Sequence, residues 1–110
     1  MKAANSNVNI EDLDARMLQF LSDLENKIGY ELIITSGYRG PEHPIEARKT
    51  RPGEHSTGLA VDVAVIGGSS TYNLVADAIA LGCERIGINR KRNFVHLGLD
   101  NSRVRSIWTY

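Results

Sequence analysis

The stretch Gly53-Glu54-His55-Ser56-Thr57-Gly58-Leu59-Ala60-Val61-Asp62-Val63-Ala64-Val65 constrains this chain more than any other. Alternation along residues 59–66 puts Leu59, Val61, Val63 and Val65 on one face of a strand and Ala60, Asp62 and Ala64 on the other. The first face reads as core. The second carries a carboxylate flanked by two alanines, so something other than packing must fill the space beside it. An ionised carboxylate in such a place is costly unless it is paired or holds a metal. The plain alternative is a hydrogen bond between Asp62 and loop backbone.

Further ligands are available. His55 ends a turn-rich loop seven positions before Asp62. In Phe94-Val95-His96-Leu97-Gly98-Leu99 the same parity sends Val95, Leu97 and Leu99 to the core and leaves Phe94, His96 and Gly98 on the other face. A lone strand histidine is more often a satisfied core residue. Two polar anomalies on strand faces and a loop histidine, each otherwise needing its own partner, favour a shared metal. His55, Asp62 and His96 as three ligands would leave the fourth position of a zinc ion open to water, which is the catalytic rather than the structural arrangement. Zinc so held lowers the pKa of its water toward ~7 and polarises a carbonyl.

The remaining segments supply a frame. Ile10, Leu13, Met17, Phe20, Leu21, Leu24 and Ile28 have helical spacing, which predicts a helix over 10–28 capped by Asn9 and ended by a left-handed Gly29. A short strand at Leu32-Ile33-Ile34 runs into the turn Thr35-Ser36-Gly37-Tyr38-Arg39-Gly40-Pro41, displaying Tyr38 and Arg39. Residues 40–58 hold all three prolines and read as a long functional loop. Gly67-Gly68-Ser69-Ser70 turns the chain into a second helix, capped by Ser70 or Thr71, with Leu74, Val75, Ala78 and Ile79 on its inner face and Gly82 at its end. Strands follow at 85–88, 94–99 and 104–110, with a basic hairpin turn at 89–93. The order predicts a single α+β domain over 1–110, with helices packed on one face of a small, mostly antiparallel sheet.

Composition excludes several classes of partner. The 110 residues carry thirteen basic and thirteen acidic side chains, so there is no general electrostatic reason to expect nucleic acid or an anionic membrane. The single cysteine, Cys83, rules out an intramolecular disulfide or a cysteine zinc knuckle and is expected to be an inert thiol. No apolar run approaches a membrane span of ~20 residues. Met1-Lys2-Ala3-Ala4 leads into polar residues rather than a signal peptide.

Ser36-Gly37-Tyr38-Arg39, then His55, Gly58, Ala60 and Asp62 in the order H-x-x-G-x-A-x-D, then Phe94-Val95-His96, together resemble the zinc D-Ala-D-Ala carboxypeptidase and L-alanyl-D-glutamate endopeptidase family. These peptidoglycan peptidases share a fold with lysostaphin and the Hedgehog signalling domain. The resemblance runs from about Leu32 to Trp108 and implies His55, Asp62 and His96 as zinc ligands. It implies that Arg39 holds a substrate carbonyl or carboxylate, with Ser36 and Tyr38 of the same turn as further substrate-binding candidates. The implied substrate is the peptidoglycan stem peptide, cut by a monomer with no nucleic-acid or membrane partner. Small phage-encoded endolysin or virion-associated members look most similar in size. Such a chain would be made in the cytoplasm and act on the wall once released.

The chain departs from that pattern at two positions. Many relatives carry a glutamate three residues before the last histidine, where this chain has Asn93, and others an acid two residues after it, where this chain has Gly98. Asp100 is the first-ranked replacement for the missing general base, ahead of Glu54 and His43. A turn role for Asp100 and an exposed position for Glu54 are the plain alternatives. Gly53 stands where a serine is usual. General-base catalysis is worth roughly 10²–10⁴-fold, so a weakly active or inactive zinc-binding module that holds wall peptides or a protein partner is the second reading. A two-histidine-one-carboxylate iron oxygenase is the third, disfavoured by so short a chain.

Overall fold

The computed structural model describes residues 1–40 and 53–110. Among these, the strands are β1 (Lys2–Ala3), β2 (Ile33–Ser36), β3 (Ala60–Ala64), β4 (Arg85–Asn89), β5 (Phe94–Gly98) and β6 (Ser106–Thr109), and the helices are α1 (Ala15–Ile28) and α2 (Gly68–Ala80). The loop expected over 40–58 lies mostly outside the described residues, and His43 with it.

One six-stranded sheet has the order β1-β2-β3-β5-β4-β6. Its three inner pairings are antiparallel, whereas β1 runs parallel to β2 and β6 parallel to β4. The sheet is therefore mixed, which corrects the expectation of a mostly antiparallel one. The physical reason lies at the two edges. The two-residue β1 is too short to leave a pattern, and α1 carries the chain from it to a parallel neighbour. The closing strand, expected at 104–110, returns beside β4 rather than beside β5.

Both helices cover the same face. Val61, Val63, Val95, Leu97, Ile34 and Ile86 of the sheet meet Met17, Leu21 and Leu24 of α1 and Leu74 and Ala78 of α2 in one core, as strand parity requires. The buried positions of α1 recur at helical spacing, and Gly29 closes it at φ 89° with its N–H on the Glu25 carbonyl. The helix nevertheless starts at Ala15, not at residue 10. Asp14 caps it, and the Asp14 N–H donates to the Gly58 carbonyl at 3.0 Å instead of to Ile10. Asn9 caps only the preceding turn, its Oδ1 accepting from the Asp12 N–H at 3.0 Å. In α2 the expected Ser70 or Thr71 cap is absent: the helix begins at Gly68 after Gly67, and Thr71 Oγ1 donates back to the Gly67 carbonyl. Ile79, expected inside, is 48% exposed.

Candidate metal centre

The face of the sheet opposite the helices carries the site. A single 3₁₀ turn, Glu54–Thr57, lies between Gly53 and Gly58 and is braced by Ser56 Oγ on the Gly53 carbonyl and Thr57 Oγ1 on the Glu54 carbonyl. Gly58 ends the turn at φ 75°, and a Cβ there would sit 2.8 Å from the Asp14 backbone nitrogen. Only a residue without a side chain fits both demands. The turn buries His55 and Glu54 together.

His55 Nδ1 lies 2.9 Å from the Gly37 carbonyl. A carbonyl only accepts, so Nδ1 bears the proton and Nε2 presents a lone pair. The turn that supplies this carbonyl is locked in its own right. Tyr38 N–H donates to the Asn9 carbonyl and Arg39 N–H to the His55 carbonyl, and any Cβ on Gly37 would collide with Asn9.

Register brings in the other ligands. Asp62 pairs with His96, Ser36 with Asp62, Gly87 with His96 and Trp108 with Gly87, so one transverse row crosses five strands. A shift in β2 between Ile34 and Ser36 sets Ile34 against core-facing Val63 yet Ser36 against Asp62. Asp62 Oδ1 lies 3.1 Å from His96 Nδ1 and 3.5 Å from His55 Nε2, and one donor atom from each of the three residues falls within 4.8 Å of the others. Two imidazoles and a carboxylate converging in this way fit zinc, and they are positioned to bind a metal ion. Burial pushes the Asp62 carboxyl up, but in the metal-free site the facing rings of His55 and His96, which donate to it when protonated, outweigh burial and hold it well below the ordinary range. Burial pushes the His96 imidazolium down, and its hydrogen bonds to Asp62 and Glu54 raise it above the usual value.

Arg39 lines the same cleft, together with Arg85, Arg103, Phe94, Trp108 and Tyr110. Ser36 and Tyr38 line an adjoining groove against Asn5, Asn7 and Asn9, with Arg39 common to both. Asp100 is not among the described residues that line the cleft. Its oxygens accept from Ser102 and from Arg103 Nε, and those bonds, Ser102's first, hold its carboxyl below the usual range. His43 lies outside the described residues.

Glu54 is the residue whose surroundings the sequence misread. It is 7% exposed rather than exposed, with Oε1 2.6 Å from Arg85 Nε and 3.3 Å from His96 Nε2. Burial raises its carboxyl, and the bonds from His96 and Arg85 more than reverse this. The available signal was Gly98, a glycine on the site-facing parity of β5 that leaves room for another residue's side chain. Asn93 sits at φ 59°, and its backbone carbonyl accepts from the Val65 N–H. The left-handed region tolerates asparagine and penalises glutamate.

Two buried imidazoles and a partly buried carboxylate that face one another in a cleft define a candidate centre for a metal ion. The family model described as Peptidase M15 matches residues 2–98, and the chain belongs to that family, the zinc peptidases of D-Ala-D-Ala carboxypeptidase type. It is a zinc metallopeptidase, which sets aside the iron oxygenase reading. No curated protein and no solved structure matches it.

Proposed function

We propose that the protein hydrolyses amide bonds in peptidoglycan stem peptides, as a D-Ala-D-Ala carboxypeptidase or an L-Ala-D-Glu endopeptidase. The observation that carries this reading is the convergence of His55, Asp62 and His96 beside Arg39 in one cleft of an M15-family chain. Bound there, zinc supplies a Lewis acid and an acidified water. His55 and His96 present neutral ring nitrogens and Asp62 the negative charge. Arg39 orients the substrate through a carbonyl or carboxylate, for which its planar fork is suited. Phe94, Trp108 and Tyr110 give the cleft apolar walls against which a peptide can exclude water. Ser36 and Tyr38, in the groove that Arg39 shares, extend the surface along which a stem peptide would lie. An acid–base role for Asp100 would require its carboxylate to leave Ser102 and Arg103.

The fold we propose is that of the Hedgehog and D-Ala-D-Ala peptidase group. Among the described residues no helix is long and apolar enough to cross a membrane, and action on the wall after release, during phage lysis or from a virion, suits a small wall peptidase acting as a monomer. The test is mass spectrometry of muropeptides digested with and without a chelator. Chelator-sensitive appearance of new amine termini, lost in His55→Ala and Asp62→Ala, is the expected result. Undiminished release in those variants would remove the reading.

A further inference from the structure

We infer that Glu54 is a positioning residue whose carboxylate, anchored by Arg85 and seated over Gly98, fixes the His96 ring with Nδ1 toward the metal. The inference rests on the zinc-site reading above and extends it to residues that the His-Asp-His set does not include.

The ring of His96 lies between two carboxylates, with Nδ1 3.1 Å from Asp62 Oδ1 and Nε2 3.3 Å from Glu54 Oε1. A carboxylate only accepts, so a neutral ring that donates Nε2–H to Glu54 leaves its Nδ1 lone pair free on the side where His55 and Asp62 converge. Carboxylate–imidazole contacts of this kind set the tautomer and ring angle of metal-ligating histidines.

Glu54 is itself held. Arg85 Nε binds Oε1 at 2.6 Å, and the Arg85 guanidinium also donates to the Val104 carbonyl and lies 5.1 Å from the Trp108 ring centroid. Trp108 in turn packs over Gly87, where a Cβ would meet its ring at 2.6 Å, and its centroid is 5.2 Å from that of His96. The other carboxylate oxygen, Oε2, is buried with no hydrogen-bond partner among the described residues and occupies the space a side chain on Gly98 would fill. An unsatisfied buried oxygen is unfavourable, so the arrangement persists through Oε1 and through the shape of the seat. Positions 54 and 98 are thus one feature: an empty Cβ on β5 admits a carboxylate from the 3₁₀ turn.

Three variants test this: Glu54→Ala, Glu54→Gln, and Gly98→Ala, which displaces the carboxylate from its seat. Zinc affinity is read by competition with a chromogenic chelator, and the His96 tautomer by ¹⁵N shifts of the metal-free protein at alkaline pH. Glu54→Ala and Gly98→Ala are expected to weaken zinc binding by roughly 10–100-fold. Glu54→Gln, whose amide oxygen still accepts from Nε2–H, is expected to retain most of the affinity. His96 should carry its proton on Nε2 in the unsubstituted protein and populate both tautomers in Glu54→Ala. A Glu54→Ala protein that binds zinc as tightly and keeps one tautomer while losing thermal stability would make Glu54–Arg85 a structural ion pair and overturn the inference alone. Unsubstituted protein that binds no zinc would overturn the metal site and this role together.

Discussion

At position 93 the backbone angle constrains which side chains the chain tolerates. With φ at 59°, Asn93 closes the β4–β5 hairpin in a conformation that costs a residue with an ordinary Cβ roughly 1–2 kcal/mol. We predict that Asn93→Glu lowers stability by about that amount in urea titration. Asn93→Gly should leave stability within about 0.5 kcal/mol of the starting protein. Arg39→Ala should reduce kcat/KM on stem peptides by on the order of 10²-fold through lost substrate alignment, checked by steady-state assay. At this scale the strand residues were legible and the turn residues were not. Asp62 and His96 declare themselves because a period of two leaves a polar residue conspicuous beside alanine or glycine. Glu54 occupies a single 3₁₀ turn, where no repeat separates inside from outside, and its ion pair with Arg85 joins residues far apart in the chain.

At the scale of elements, the site depends on how α1 meets the loop that carries His55. Asp14 caps α1 through its side chain and, through its own N–H, ties the helix to Gly58. That tie explains why the helix begins later than its apolar spacing suggested: periodicity continues back to Ile10, but the hydrogen bond that would extend the helix is taken by another segment. Gly58→Ala combines the left-handed penalty of roughly 1–2 kcal/mol with a collision at the Asp14 backbone. It is expected to weaken zinc binding as well as stability, measured by chelator competition beside thermal melts. The Arg16 side chain, hydrogen-bonded to Asp14, holds its carboxyl down at about 2 from an ordinary 3.8. The sign follows from that depression: the cap's charge contributes fully above pH 3.8, and the contribution is lost as pH falls through about 2. The melting-temperature deficit of Asp14→Ala should therefore be present at neutral pH and shrink toward pH 2.

For the whole molecule, one face of the sheet buries the core and the other holds the cleft, a division that strand parity foretold even though the edge-strand directions were not foretold. Ligand binding to the folded state alone adds stability by mass action, about 2.7 kcal/mol at a hundredfold excess over Kd, so a chelator should lower the melting temperature of the zinc form. Its pH dependence has two opposing parts. In the metal-free protein the raised His96 contributes fully below pH 6.5 and less as pH rises through its folded value, while the depressed Asp62 contributes above pH 3.8 and less as pH falls through its own. Protons and zinc compete for the same ring nitrogens. Melts at stepped pH should thus place the metal-free optimum on the mildly acidic side and the zinc-loaded optimum higher.

The row Ser36, Asp62, His96, Gly87, Trp108 draws one member from each of five strands. Slipping any one of those strands by a single residue would turn its member over to the helix side. A slip in β3 or β5 would thus take Asp62 or His96 away from the ion, so metal occupancy reports that those two strands have paired in register.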